Sequence, residues 1–128
     1  MKPSHQIYLV CPDCRQSLEL IETEKVDDRI KEGGLKCCNC SKVYPIINFI
    51  PRFVPVNDNY AYSFGYQWNK HFQTQYDRYS GVPISEERFF GETRWGRSLQ
   101  GEVLLEAGSG SGRFTEHAAS TGAMVVSF

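Results

Sequence analysis

The chain has 128 residues, 41% of them hydrophobic, and a formal net charge of −1, which is the size and apolar content of one ordinary domain. The near-zero charge argues against broad electrostatic capture of nucleic acid, and an aromatic content of 13% argues against disorder. No apolar stretch approaches the roughly 20 residues that a membrane span needs, and residues 1–6 are too polar to open a signal peptide. We therefore expect a cytoplasmic protein without a membrane or nucleic-acid partner.

Five cysteines lie in the first third of the chain, and four of them form two C-x2-C knuckles separated by 22 residues: Cys11 with Cys14, and Cys37 with Cys40. Two such knuckles build the closed tetrahedral sulfur site of structural zinc. Iron in a rubredoxin-like site uses the same spacing, and paired disulfides of a secreted fold are a further alternative. The remaining thiol, Cys38, is interpreted as a bystander, because its use would leave a poorer C-x-C knuckle.

Short β patterns surround the knuckles. Residues 17–21 alternate apolar and polar side chains, Gly33-Gly34 predicts a turn, and residues 43–51 give another β segment with prolines at its edges. These features predict a zinc ribbon over residues 1–56. Because so small a module buries little apolar surface, metal binding should supply much of its folding free energy.

Four motifs of the ribbon carry a resemblance: Leu9-Val10-Cys11-Pro12-x-Cys14, Cys37-x-x-Cys40, Tyr44-Pro45-Ile46 and Ile50-Pro51-Arg52. Together they resemble the small zinc-ribbon activator subunit of tRNA and protein methyltransferases, and the related short bacterial ribbon proteins. The resemblance implies a ribbon that binds a methyltransferase and covers its apolar surface. The expected contact surface, which would also supply part of the ribbon's own small core, consists of Ile46, Ile47, Phe49, Ile50, Phe53 and Val54.

Residues 57–98 predict an aromatic helical connector. Aromatic residues first alternate from Tyr60 to Trp68 and then recur at every fourth position to Tyr76, so an extended approach should lead into a helix over about residues 65–79. Its aromatic face would pack on the core, or serve as a lid over a cofactor or substrate. The second interpretation makes site candidates of Gln67, Trp68 and His71.

A shorter helix is predicted after the break at Gly81-Val82-Pro83. Ser85 has the side chain of an N-cap, and the carboxylates of Glu86 and Glu87 in the first turn favour the positive end of the helix dipole. Nothing in this region indicates a substrate.

The last segment, residues 99–128, has the pattern of strand, glycine-rich loop, helix and strand. The apolar run 103–105 ends in Glu106, glycines follow at 108, 110 and 112, and an apolar strand closes the segment at 124–128. This pattern predicts a parallel, right-handed β-α-β unit. An NAD-binding loop has the spacing G-x-G-x-x-G, so the alternate glycines disfavour that ligand.

The loop motif Glu106-x-Gly108-x-Gly110-x-Gly112 resembles the first motif of class I S-adenosylmethionine-dependent methyltransferases. In that family the loop wraps the methionine part of the cofactor, and the acidic residue holds its ammonium group. By this resemblance the cofactor-site candidates are Glu106, Gly108, Ser109, Gly110 and Gly112. A glycine-rich turn without a ligand is the alternative.

Together these patterns predict an α+β fold in three parts: a zinc ribbon (1–56), a helical connector (57–98) and the truncated start of a Rossmann-like cofactor domain (99–128). The first functional hypothesis is the N-terminal part of an S-adenosylmethionine-dependent methyltransferase, inactive alone, with zinc and S-adenosylmethionine as cofactors, the ribbon acting in cis and an unidentified methyl acceptor. The second hypothesis is a zinc-ribbon interaction or activator module without catalysis of its own. No catalytic residue is assigned, and the exposed strand at 124–128 predicts self-association of the truncated chain.

Overall fold

In the computed structural model, which describes residues 1–55 and 62–128, the chain folds as two compact units, Met1–Asn59 and Tyr60–Phe128. The first unit is built from antiparallel strands, and the second from short helices and a pair of parallel strands. None of the helices in the described ranges is long and apolar enough to cross a membrane. The division of the chain into three parts stays a prediction.

The first unit is a four-stranded antiparallel sheet in which the strands lie in chain order. A 3₁₀ helix at Pro3–Tyr8 precedes it. The strands are β1 (Leu18–Val26), β2 (Arg29–Cys37), β3 (Val43–Ile47) and β4 (Ile50–Pro51). This arrangement is consistent with the predicted zinc ribbon.

The core of this unit lies on one face of the sheet. In the register of β1, β2 and β3, Leu35 is opposite both Leu20 and Tyr44, and this row of side chains points toward the core because residues two apart share a face. The buried cluster consists of Cys11, Leu18, Ile30, Leu35, Cys37, Tyr44 and Ile46. Two of the knuckle cysteines are therefore part of the apolar core.

Gly33 and Gly34 do not form the predicted turn but lie inside β2. The chain reverses between β1 and β2 at Asp27, whose φ is +54°, a conformation that aspartate tolerates better than most residues. Gly33 instead permits close contact between strands, since a Cβ there would lie 2.2 Å from the carbonyl oxygen of Ile21. Gly33 therefore marks a close approach of the paired strands β1 and β2 rather than a bend.

The second unit contains four helices and two strands within residues 62–128: α1 (Tyr62–His71), α2 (Asp77–Ser80), α3 (Ile84–Thr93), β5 (Val103–Glu106), α4 (Thr115–Ser120) and β6 (Met124–Ser127). A 3₁₀ helix at Phe72–Gln75 follows α1, and Tyr76 is extended with φ −95° and ψ 127°. The single helix predicted over residues 65–79 is therefore wrong. The first part of the aromatic alternation, from Tyr60, begins outside the described residues.

The strands β5 and β6 pair in parallel, with Val103 opposite Met124 and Glu106 opposite Ser127. The helix α4 lies between them in the chain, so the predicted β-α-β unit with parallel strands is confirmed. Within residues 62–128 the sheet has two strands, and the Rossmann-like domain that the resemblance implied is not confirmed.

The N-terminus of α3 is capped by Asp77 rather than by Ser85. The Asp77 carboxylate accepts hydrogen bonds from the backbone N–H of Ser85 at 2.9 Å and of Glu86 at 2.8 Å. Ser85 is inside the helix and only 1% exposed. The predicted cap is wrong because α3 begins at Ile84, one residue before Ser85, and the carboxylate eight residues before Ser85 accepts the first N–H groups of the helix.

Candidate metal centre

The sulfur atoms of the four knuckle cysteines form one cluster. Their ligand atoms all lie within 4.8 Å of one another, and the cluster consists of Cys11, Cys14, Cys37 and Cys40. The Sγ atoms are 3.7 Å apart for Cys11 and Cys40, and 3.4 Å apart for Cys14 and Cys37. A tetrahedron with Zn–S bonds of about 2.3 Å has edges of about 3.8 Å, so the four cysteines are positioned to bind zinc.

The two knuckles are built by the same backbone hydrogen bonds. The N–H groups of Cys11 and Cys37 donate to the carbonyl oxygens five residues later, at 2.9 and 2.8 Å. The carbonyls of the same two cysteines accept from Arg15 and Ser41, at 2.8 and 3.2 Å. Both Arg15 and Ser41 adopt the left-handed backbone conformation, with φ near +60°. Each knuckle thus folds its two sulfurs toward the same side of a tight turn.

Hydrogen bonds favour the thiolate form at two of the four cysteines. The hydrogen bond from the Tyr44 hydroxyl does most to lower the pKa of the Cys11 thiol, which falls to about 6 although burial raises it. The backbone N–H groups of Cys14 and Asp13 lower this pKa further. The backbone N–H of Cys40 does most to lower the pKa of Cys37, with an N···Sγ distance of 3.4 Å.

At Cys40 the surroundings instead favour the protonated thiol. The backbone N–H of Lys42 lowers the pKa of Cys40, but loss of solvent and the sulfurs of the neighbouring cysteines raise it more, so the net shift is upward. Four thiolates this close repel one another strongly. A divalent metal removes that repulsion, and its soft sulfur ligands suit zinc.

The sequence did not predict a series of polar contacts that begins at Cys11 and continues through Tyr44 and Asp13 to Lys42. The Tyr44 oxygen lies 3.2 Å from Cys11 Sγ and donates a hydrogen bond to Asp13 at 2.8 Å. The Lys42 ammonium lies 2.8 Å from the same Asp13 oxygen. Tyr44 stands 33 residues from Cys11, so no local spacing could reveal the contact. Cys38 is exposed and lies outside the sulfur cluster.

Many polar groups in and beside the glycine-rich loop form hydrogen bonds within the second unit. The Glu106 carboxylate accepts hydrogen bonds from Thr115 at 2.5 Å and from Ser127 at 2.8 Å. The N–H groups of Gly108 and Ser109 both donate to the carbonyl of Phe128, at 2.7 and 3.0 Å. The predicted ammonium ligand, Glu106, is thus already occupied by two hydroxyl groups.

The loop glycines adopt left-handed backbone conformations. The φ angles of Gly108, Gly110 and Gly112 are +72°, +58° and +91°, a region that glycine enters without steric cost. Ser109, Gly110 and Gly112 line an open cleft of about 470 Å³, and Gly108 is not among its lining residues. That the five loop residues bind a cofactor stays a prediction.

The remaining site candidates, Gln67, Trp68 and His71, form no common site in the described part of the chain, and Arg113 beside the glycine-rich loop is held by a contact within the unit. Gln67 and His71 line a shallow cleft of about 370 Å³ with Thr74 and Gln75, and the side chain of Trp68 lies outside what the structure describes. Arg113 donates from Nε to the Ser85 hydroxyl at 2.8 Å. No acid–base pair with a reaction centre emerges among these described residues.

Comparison with known proteins places the metal centre in a family. Residues 8–48 match the family model described as Trm112p-like protein. A solved complex between the Haloferax volcanii Trm112 methyltransferase activator and a candidate methyltransferase contains a similar chain, 37% identical. The similarity covers 44% of this chain and 97% of that chain, with a TM-score of 0.41.

This chain belongs to the Trm112p-like family. The matched residues lie within the first unit and include all four clustered cysteines. None of the curated proteins matches the chain.

The prediction that the chain is part of an S-adenosylmethionine-dependent methyltransferase is wrong. Its Trm112p-like match and its 37% identical relative are those of an activator, not of an enzyme. S-adenosylmethionine as a cofactor is not supported, and the idea of a ribbon that assists a methyltransferase in cis falls with it. The second hypothesis, an activator module without catalysis of its own, agrees with these findings.

Proposed function

We propose that the Trm112p-like unit is a zinc-stabilised module that binds a separate methyltransferase protein and activates it. The observation that carries the proposal is the match of residues 8–48 to the Trm112p-like family in the same unit that assembles the four sulfurs. The similar Haloferax volcanii chain is described as a methyltransferase activator in a complex with a candidate methyltransferase. A methyltransferase is therefore the partner that we assign to this chain.

Zinc in this module would be structural. A site with four cysteine ligands has no position open for water or substrate. When bound, the metal supplies a cross-link between the two knuckles, and much of the free energy that folds the unit. The cysteines would therefore act through the shape of the ribbon and not through chemistry on a substrate.

The outer face of the sheet offers an apolar binding surface. Strand alternation puts Ile21, Val43, Pro45 and Ile47 on the face opposite the core, and we call these four residues the outer-face patch. Gly34 lies between Ile21 and Pro45 in the register of the strands. The side chains of Ile21, Val43 and Ile47 are 42%, 54% and 36% exposed.

The members of the outer-face patch are neighbours rather than scattered residues. A Cβ at Gly34 would lie 3.1 Å from Val43 Cγ1, so Val43 reaches over the glycine toward the row that contains Ile21. Single exposed apolar side chains are ordinary on a protein surface, whereas a contiguous group is typical of a protein contact site.

The contact surface expected from the sequence divides between core and surface. Ile46 is fully buried, and the Phe53 ring packs 5.1 Å from the ring of Tyr44 at the edge of the core. Ile47, Ile50 and Val54 are 36%, 49% and 60% exposed, and Phe49 is half-buried. Only Ile47 of this group belongs to the outer-face patch.

Affinity purification of the tagged chain from its own cells, followed by mass spectrometry, tests the proposed function. We expect a methyltransferase among the enriched proteins. The purified partner should then transfer more labelled methyl groups from S-adenosylmethionine when the zinc-loaded chain is added. Methyl transfer by the chain alone, or a partner whose activity does not respond to the chain, would overturn the proposal.

A pair of variants locates the contact. Val43→Glu combined with Ile47→Lys places charges in the outer-face patch and should abolish partner binding. Val26→Glu is the matched control, because Val26 is 41% exposed and lies at the far end of β1. Both proteins should retain zinc, which shows that the ribbon is folded. Equal binding by the two variants would exclude the outer-face patch as the contact.

A further inference from the structure

One face of the sheet formed by β5 and β6 is left uncovered by the described part of the second unit, residues 62–128. Glu106 and Ser127 lie on the face that α4 covers, because the Glu106 carboxylate accepts hydrogen bonds from Ser127 and from Thr115 of that helix. Residues two apart in a strand share a face. The alternate positions therefore form the opposite face, which we call the free sheet face and which consists of Val103, Leu105, Met124, Val126 and Phe128. Phe128 belongs to it because its N–H continues the ladder of β6 and donates to the Glu106 carbonyl at 3.1 Å.

The free sheet face is apolar throughout and largely exposed. Leu105 and Phe128 are 71% and 70% exposed, and Val103 is 44% exposed, whereas Met124 and Val126 are half-buried. Parallel sheets occur almost only where both faces are covered. A contiguous group of exposed apolar side chains is also typical of a protein contact site. Both arguments predict that another surface covers this face.

The absence of charge among these five residues favours a second copy as that surface. Charged groups across an interface select between different partners, and a wholly apolar face can lie against a copy of itself without bringing like charges together. In the ribbon, by contrast, Glu19 and Lys36 stand opposite each other and continue the outer-face patch at Val43. The match to the Trm112p-like family ends at residue 48, so the methyltransferase contact that we assign to the ribbon does not include the free sheet face.

We propose that two copies of this chain associate through the free sheet face, so that each copy covers the exposed apolar residues of the other. The contact would place the same residues on both sides of a two-fold axis, with the two sheets stacked about 10 Å apart. Together the copies would remove on the order of 800 Å² of surface from water, which is in the range of weak and transient contacts. The dimer should therefore form reversibly, and each dimer would carry two ribbons.

The open edge of β5 offers a different mode of association. The Glu106 carbonyl faces β6, where it accepts the hydrogen bond from Phe128, so alternation turns the backbone groups of Val103 and Leu105 away from β6. Strand pairing at this edge would leave the free sheet face exposed. Stacking of the two faces buries the larger apolar area, and burial of apolar area is the main favourable term in association.

Sedimentation velocity of the full chain over a range of concentrations tests the proposal. We expect the sedimentation coefficient to rise from that of one chain to that of two, and no further. Leu105→Glu places a carboxylate on the free sheet face of each copy and should weaken the dimer at least 10-fold. Val82→Glu, at a 51% exposed residue between α2 and α3, is the matched control and should dimerise like the wild type. A wild-type chain that stays monomeric at about 1 mM, or that grows beyond two copies, would overturn the proposal.

Two measurements keep the test decisive if Leu105→Glu also disturbs the fold. Phe128→Ala removes an exposed ring beyond the end of β6 and should weaken the dimer while the paired strands remain intact. A dimer of wild-type strength in this variant would contradict the assigned face. Hydrogen exchange of the Leu105 N–H should be equally fast in dilute and concentrated wild-type protein, and slower exchange in the concentrated protein would show edge pairing instead.

The ribbon variant separates this contact from the binding of a methyltransferase. Val43→Glu combined with Ile47→Lys should dimerise like the wild type, and Leu105→Glu should still bind the methyltransferase. Loss of the dimer in the ribbon variant would place the contact on the outer-face patch and overturn the inference. A wild-type chain that is monomeric alone, with methyltransferase binding abolished by Leu105→Glu, would make the methyltransferase the occupant of the free sheet face.

Discussion

The carboxylate of Glu106 at the end of β5 accepts a hydrogen bond from the hydroxyl of Ser127 at the end of β6, across 2.8 Å. The hydroxyl of Thr115, at the start of α4, donates to the same oxygen at 2.5 Å. One side chain therefore joins all three elements of the β-α-β unit. The acid that resembled a cofactor ligand has a structural role that the isolated motif did not indicate.

Removal of this carboxylate should weaken the second unit. Glu106→Ala deletes an acceptor with two partners, and we expect the free energy of unfolding to fall by about 2 kcal/mol. Urea denaturation followed by tryptophan fluorescence measures it, because both tryptophans, at positions 68 and 95, lie in this unit. Glu92→Ala, at an exposed position in the last turn of α3, is the control. A Glu106→Ala protein as stable as that control would show that the two hydroxyl contacts contribute little.

Two adjacent cysteines should respond differently to substitution. Cys37→Ser removes a buried ligand of the sulfur cluster, whereas Cys38→Ser alters an exposed thiol outside it. Elemental analysis should find about one zinc per chain in the wild type and in Cys38→Ser, and much less in Cys37→Ser. Chelation should then melt the first unit, as seen by hydrogen exchange in β1 and β2. Full zinc content in Cys37→Ser would refute the assigned ligand set.

A side chain at Gly33, where β1 and β2 approach closely, should destabilise the ribbon. Gly33→Ala would place a Cβ 2.2 Å from the Ile21 carbonyl oxygen, and the backbone must move to relieve the clash. We expect a loss of about 2 kcal/mol in the stability of the ribbon, measured by hydrogen exchange of β1 and β2 in the zinc-loaded protein. Gly34→Ala is the matched control, because its nearest contact is a side-chain methyl of Val43 at 3.1 Å. A larger loss in Gly34→Ala would contradict this account.

Stability of the second unit should depend on the charge of Asp77. Burial by itself would raise the pKa of Asp77, but the N–H groups of Ser85 and Glu86, with His117, lower it below its ordinary value. A carboxylate with a lowered pKa stabilises the fold above the ordinary value near 3.8, and this contribution is lost as the pH falls through the lower pKa of the folded state.

A neutral side chain that cannot cap the helix measures this contribution. Asp77→Ala should cost about 1 kcal/mol at neutral pH, and the difference from wild type should shrink below about pH 4. Fluorescence-monitored urea denaturation at both pH values gives the comparison. A difference that stayed constant or grew on acidification would contradict the capping role of the charged form.

Features with a local cause could be predicted from the sequence. The four cysteines of the metal site could be recognised because the two ligands of each knuckle are separated by two residues. The parallel pair formed by β5 and β6 followed from two apolar runs around a glycine loop and a helix. The methyltransferase function did not follow from the same loop, since a motif such as Glu106-x-Gly108 records a backbone turn and does not by itself identify a ligand.

Features that depend on contacts between distant residues could not be predicted. The acceptor that caps α3 is Asp77, eight residues before Ser85, and an isolated sequence shows only that Ser85 is a suitable cap type. Gly33 is a glycine because of the Ile21 carbonyl on another strand. The contact of Tyr44 with Cys11 likewise exists only once the sheet has formed.

Cys40 is the one exposed member of the sulfur cluster, whereas Cys11 and Cys37 are buried. An ion held by these four cysteines would be buried on the side of Cys11 and Cys37 and accessible to solvent on the side of Cys40. Chelators, competing metals and oxidants would all reach the ion from the side of Cys40. The exposure of this one cysteine would therefore set the rate at which the ribbon loses its metal.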